Sequence, residues 1–178
     1  MKAALVVLLF GVVSAFAQEP FTIAAAEAAC GPKEAQFDAQ PASTQMLTTQ
    51  PMTQPEAGKS LVYVVEVFEK AMNQFARPTL RVGLDGKWVG AAKGDSYLSF
   101  SVDPGEHHLC TRWQSHWKRF SDKEAFNGFT ADPGKIYYFR ARIIEGEDNF
   151  ALDLEPVNGD EGKYLVASSA VTVSKPKK

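Results

Sequence analysis

Two cysteines, three histidines and one run that interleaves aromatic with basic side chains are the places where this chain could do chemistry. Cys30 and Cys110 can pair in only one way, and an oxidising compartment would join them as a disulfide. Closing that loop of about 80 residues restricts the unfolded chain by roughly 4–5 kcal/mol on the chain-entropy account. His107 and His108 are adjacent, so on a strand they point to opposite faces and cannot ligate one ion without a bulge. His116 lies beyond that strand, and zinc or copper needs convergent donors that this spacing does not supply. The expectation is therefore no metal and no cofactor, with His107 packed at the start of its strand and the other two solvated. No Gly-x-Ser-x-Gly elbow is present to expose a serine nucleophile. Asp153 and Glu155 alternate on the outward face of a hairpin, where Arg140 and Arg142 would meet them as cross-strand ion pairs. With no nucleophile, base and oxyanion donors converging, the chain reads as a protein that is not an enzyme.

The run Arg112-Trp113-Gln114-Ser115-His116-Trp117-Lys118-Arg119-Phe120 stands apart, because tryptophan and arginine are the types enriched at binding hot spots. Two arrangements satisfy it. In one, Trp113 belongs to the core while Trp117 and Phe120 cover an end of the fold. In the other, Trp113, His116, Trp117, Arg119 and Phe120 form a binding surface that stacks on a sugar or grips a partner protein.

What positions these residues begins with a leader. Lys2, an apolar run from Ala3 to Val13 and Ala15-Phe16-Ala17 have the three regions of a secretory signal. The run is too short for the roughly 20 residues that span a bilayer. Removing residues 1–17 from 178 leaves 161 with no second long apolar run, so no transmembrane segment is expected in the mature protein. The loss of one lysine takes the formal charge from −2 to −3, which offers nucleic acid no basic footprint. The expected location is secreted or periplasmic.

Residues 18–58 shift to Ala, Gln, Thr and Pro and read as an extended arm and flexible linker, with only the segment around Phe37 able to dock as a short strand. From Ser60 the pattern is strands. Leu61 to Phe68 is β-branched and aromatic on both faces, a central strand. Thr79 to Leu84 alternates cleanly and meets Asp85-Gly86, the strongest short hairpin signal, with a return through Trp88 to Ala91. Tyr97 to Val102 and His107 to Gln114 follow. Asp-Pro-Gly occurs at 103–105 and again at 132–134, each a turn whose proline presets φ. A last hairpin joins Tyr137–Ile143 to Phe150–Leu154, and Asn158, with Glu161 three places on, caps a short helix. The basic end, residues 169–178, reads as a tail. Six or more short strands without crossover helices make an all-β fold, an antiparallel immunoglobulin-like β-sandwich over residues 59–168 with one short C-terminal helix.

The segments Leu61–Val64, Val82-Gly83-Leu84-Asp85-Gly86-Lys87-Trp88-Val89-Gly90, Tyr97, Val102-Asp103-Pro104-Gly105-Glu106-His107-His108-Leu109 and Pro133–Phe139, taken in that order, resemble the bacterial domain of unknown function 2846. The Asp-Gly-Lys and Pro-Gly-Glu-His steps also resemble the wider class of immunoglobulin-like domains named for a Pro-Glu-Gly-Ala motif. The resemblance covers residues 60–168 and implies an envelope-associated or secreted β-sandwich, without catalytic residues to carry over. The function expected is a non-enzymatic exported module, binding or structural, whose partner is an envelope protein or a glycan. A carbohydrate-binding module is the alternative and a small secreted hydrolase the more distant one.

Overall fold

The computed structural model describes residues 28–42, 54–67, 77–146 and 149–178, with the Arg119 side chain excepted. The leader expected at residues 1–17 and most of the expected linker lie outside the described residues. Among the described residues ten strands and two helices follow in order: β1 (Phe37–Pro41), β2 (Ser60–Val67), β3 (Thr79–Leu84), β4 (Lys87–Lys93), β5 (Ser96–Val102), β6 (Gly105–Gln114), α1 (Lys118–Ser121), β7 (Glu124–Ala131), β8 (Ile136–Glu145), β9 (Phe150–Val157), α2 (Gly159–Ser168) and β10 (Ala170–Pro176). They form a six-stranded sheet, β1-β10-β5-β2-β8-β9, against a four-stranded sheet, β4-β3-β6-β7. The expected all-β sandwich is what the chain adopts. Its pairing is mixed where purely antiparallel pairing was expected, since β2 runs parallel to β8 and β10 parallel to β5.

The two-sided apolar run of β2 explains its central place. Val62 and Val64 face the other sheet among Leu80, Val82, Leu109 and Phe139. Leu61, Tyr63 and Val65 face the opposite way into a second cluster with Tyr138 and Val166 of α2. Asn158 caps α2 as its sequence foretold, its side chain accepting from the backbone N–H groups of Asp160 and Glu161 at 3.0 Å each. Glu161 does not close the reciprocal half of a capping box; its carboxylate accepts from Arg140 instead, at 2.7 Å. The helix settles directly on the sheet because a Cβ at Gly162 would run into the Tyr138 ring.

Asp85 and Gly86 have φ of 49° and 82°, both in the left-handed region that a primed hairpin turn needs. On β4 the register slips by one residue at Val89. The bulge keeps Trp88 and Ala91, three positions apart, on the same outer face of the four-stranded sheet. There they meet the arm: Phe37, Ala39, Ala91 and Trp88 pack together. The arm is fixed by Cys30–Cys110, with Cα atoms 5.3 Å apart, by the Trp88 indole N–H donating to the Pro32 carbonyl at 2.8 Å, and by Arg81 donating to the carbonyls of Lys33 and Ala35. Gln114 closes both hydrogen bonds to the Phe37 backbone, at 2.7 and 2.8 Å.

Residues 169–178, expected to be a basic tail, form β10 instead. Val171, Thr172 and Val173 are β-branched, and the segment is paired on both sides, with β5 through Ala170 and Val171 and with β1 along Thr172 to Pro176. A ladder on each side supplies the order that composition alone did not promise. Cys110→Ser should therefore lower the free energy of unfolding by about 2–5 kcal/mol and expose the segment before β1 to protease. Urea melts with coincident midpoints for the two proteins would refute the view that the disulfide pins the arm.

Candidate functional site

β6 presents alternate side chains to the two faces of its sheet. Leu109 and Trp113 enter the main core, whereas Cys110 turns outward to the arm. Strand pairing extends to Gln114, so the alternation carries Trp113 inward, where it is 8% exposed. The chain then leaves the sheet and makes the single turn α1, which folds Phe120 back beneath the strand. Phe120 is 9% exposed and stacks on Trp113 at 4.5 Å between centroids, while Phe150 meets Trp113 and Phe120 edge-on at 6.0 and 5.4 Å. Such edge and offset geometries stabilise a cluster beyond its buried area.

The five residues expected to form a binding surface thus separate. Trp113 and Phe120 are core residues, a correction whose cause is the strand phase at one and the helical turn at the other. His116 and Trp117 are exposed, Trp117 at 68%, and the Trp117 backbone N–H is held by Ser115 Oγ at 3.1 Å. The Arg119 side chain lies outside the described residues.

Next to this turn a groove of about 500 Å³ runs between the α1–β7 junction and the β8–β9 hairpin. Phe150, Ile144 and Leu152 supply its apolar wall, and Asp122, Glu124 and Asn149 supply hydrogen-bonding groups. Ile144 is itself exposed. A volume in the range of small-molecule clefts, apolar walls and a few polar groups make a plausible recognition geometry. None of its residues belongs to the run from Arg112 to Phe120, and Phe150 joins that run only through ring contacts made in the fold. They come from three separate parts of the chain, and no local spacing marks them.

Two further groups carry perturbed chemistry. His107 joins two turns: its Nδ1 lies 2.7 Å from Asp85 Oδ2 and its Nε2 2.7 Å from the Asp103 carbonyl oxygen. Both partners are acceptors, so the geometry favours the doubly protonated imidazolium, in which both ring nitrogens donate. Burial works against that charge, but the Asp103 carbonyl and the Asp85 carboxylate outweigh it and raise the pKa. The Asp85 carboxylate also accepts from the His108 backbone N–H at 2.8 Å. Glu66, on the central strand β2, is fully buried. Burial pushes its carboxyl well above the usual range, with Asp95 adding to the effect and the Gly94 backbone, Arg77 and Lys93 opposing it. No local motif around Glu66 marks it in the sequence.

On the last hairpin Arg140 pairs with Glu155 and Arg142 with Asp153, as the alternation anticipated. Arg140 holds the Glu155 carboxyl below its ordinary range. Among the described residues no cluster of three or more His, Cys, Asp or Glu side chains could hold a metal ion, and no helix is long and apolar enough to cross a membrane.

Residues 56–153 match the protein family of unknown function DUF2846. The matched segment runs from just before β2 into β9, so it contains the groove and Trp117 and leaves the arm, α2 and β10 outside. No curated protein and no solved structure matches the chain.

Two outcomes follow from this geometry. Trp113→Ala should cost about 3–5 kcal/mol, the range for a truncated core aromatic, while Trp117→Ala should stay within about 0.5 kcal/mol; equal losses in chemical denaturation would contradict the division between core and surface. The raised pKa of His107 makes its contribution to stability fully present below its unfolded value near 6.5 and lost as pH rises through the folded value. His107→Gln should flatten that decline above about pH 6.5, and identical pH profiles for the two proteins would count against a charged His107.

Proposed function

This chain belongs to the DUF2846 family, whose description names no activity, and from that premise we propose that it is a non-enzymatic accessory module of the cell envelope that acts by binding. The observation that carries the reading is Trp117, 68% exposed at the N-terminus of α1, the turn that leads into the groove-lining residues Asp122 to Glu124, while the other two aromatics of its run are buried. Tryptophan is among the residue types most enriched at interface hot spots, and exposed apolar surface near a cleft marks interaction sites. Trp113, Phe120 and Phe150 pack on one another beside α1, and the exposed Ile144 adds apolar surface to the groove. The natural occupant is an envelope protein that inserts an apolar side chain against Trp117 and Ile144.

Export is part of the same proposal. It is supported by the leader-like residues 1–17 and by the Cys30–Cys110 bond, since disulfides persist in oxidising compartments. A glycan is the second reading, favoured by Asp122, Glu124 and Asn149 in the groove, which could bond sugar hydroxyls while an indole stacks on the ring.

Wild-type protein and Trp117→Ala, each immobilised, should be compared for capture from envelope extract and for binding on a glycan array. The substitution should weaken the specific interaction by about 10- to 30-fold, the scale of a hot-spot residue, with the unfolding midpoint preserved. A glycan signal lost in the variant would favour the second reading. Partners retained equally by both proteins would sink the proposal.

A further inference from the structure

We propose that the pocket between the docked arm and the outer face of the four-stranded sheet binds a small tetrahedral oxyanion, a phosphate or sulfate group, through Lys33 and Arg112. The inference does not rest on the Trp117 surface. The cavity measures about 130 Å³ and is lined by Cys30, Gly31, Lys33, Arg112 and Glu124. Ligand clefts for drug-sized molecules begin at roughly 300 Å³, so this one suits an ion or the end of a larger molecule.

Its charge is unbalanced. Arg81 and Arg112 are register partners across β3 and β6, and both are buried, at 4% and 6% exposure. Arg112 is paired with Glu124. Among the described residues Arg81 has no carboxylate partner: it donates to the carbonyls of Lys33 and Ala35 and lies over the Trp88 ring at 4.6 Å. Within the pocket Arg112 meets the one mostly buried carboxylate, Arg81 lies beside it on the neighbouring strand, and the exposed Lys33 adds a further positive charge to the lining. The remaining acids that act on these arginines, Glu34 and Asp122, are exposed, where water and salt screen them far more than a buried group.

The donors are also incomplete. The Nε atoms of Arg81 and Arg112 are buried without an acceptor, and a buried charged donor is costly to leave unpaired. Burial, followed by the charge of Arg112, pulls the Arg81 guanidinium down to about 10, and a bound anion would offset the repulsion between the two arginines. Oxyanions match guanidinium geometry well. Because Lys33 belongs to the arm, the site exists only while Cys30–Cys110 and the Arg81 contacts hold the arm in place.

Thermal midpoints of the purified, oxidised protein would be read in sodium chloride, phosphate, sulfate and glycerol 3-phosphate at matched ionic strength and pH. At about ten times its Kd the bound anion should raise the midpoint by about 3–5 °C. Phosphate and sulfate acting alike would identify a free oxyanion, and glycerol 3-phosphate acting more strongly would identify a phosphomonoester carried by a larger molecule. Kosmotropic anions also stabilise proteins non-specifically, so the deciding comparison is Lys33→Ala. Its side chain is exposed, so its midpoint in chloride should stay near the wild-type value, while most of the anion-dependent rise is lost and Lys33→Arg restores it. No rise beyond chloride, or the full rise in Lys33→Ala, would overturn the site.

Discussion

The docking of the arm on the outer face of the four-stranded sheet is the constraint on which much of this molecule depends. That face carries Arg81, Trp88 and Cys110, side chains that would meet water if the arm were free. Covering them needs a segment held at both ends. The disulfide holds one end, and at the other Gln114 and the β1–β10 ladder take the backbone of Phe37 to Pro41. The same act of docking gives β10 its outer partner and so completes the six-stranded sheet. Arm, last strand and disulfide are thus one cooperative unit, although they lie at opposite ends of the chain.

The other half of the sandwich is organised by β2, buried on both faces. Its inner valines meet the four-stranded sheet, while its outer Tyr63 stacks on Tyr138 at 5.3 Å and is roofed by α2. A strand so placed has no solvent-facing side, which is why Glu66 at its end is forced out of its ordinary ionisation range. The cost of that burial sits beside the β4–β5 turn, where Gly94 and Asp95 face it. Polar anchoring elsewhere is more economical: His107 ties the Asp85 turn to the Asp103 turn with a single ring, joining two connections at one end of the sheet.

At the opposite end of β6 the chain divides its aromatics: Trp113 and Phe120 pack with Phe150 in the core, while Trp117 stays exposed. The groove at the α1–β7 junction and the small pocket under the arm share Glu124 as a wall. Glu124 is bound to Arg112 and positioned by the β6–β7 ladder, so both openings are framed by secondary structure.

Local chemistry was enough to determine β2 to β6, the β8–β9 hairpin, the Asp85-Gly86 turn, the Asn158 cap, the facing of Arg140 and Arg142 with Asp153 and Glu155, and the single possible cysteine pairing. Each depends on residues near in sequence or on a count that admits one solution. Tertiary structure alone decided the rest. Whether Trp113 faces the core turns on how far β6 stays paired, and a shift of one residue reverses every side chain. The parallel pairings of β2 with β8 and of β10 with β5 join strands far apart in sequence, and no local pattern sets their direction. Residues 170–176 look like a tail until β1 and β5 supply hydrogen bonds on either side. Arg81, Arg112, Lys33 and Glu124 are far apart in the chain, and only the docked arm brings their charges to one cavity. Periodicity fixes which side chains share a face, but what that face meets is set by contacts whose partners lie far away in sequence.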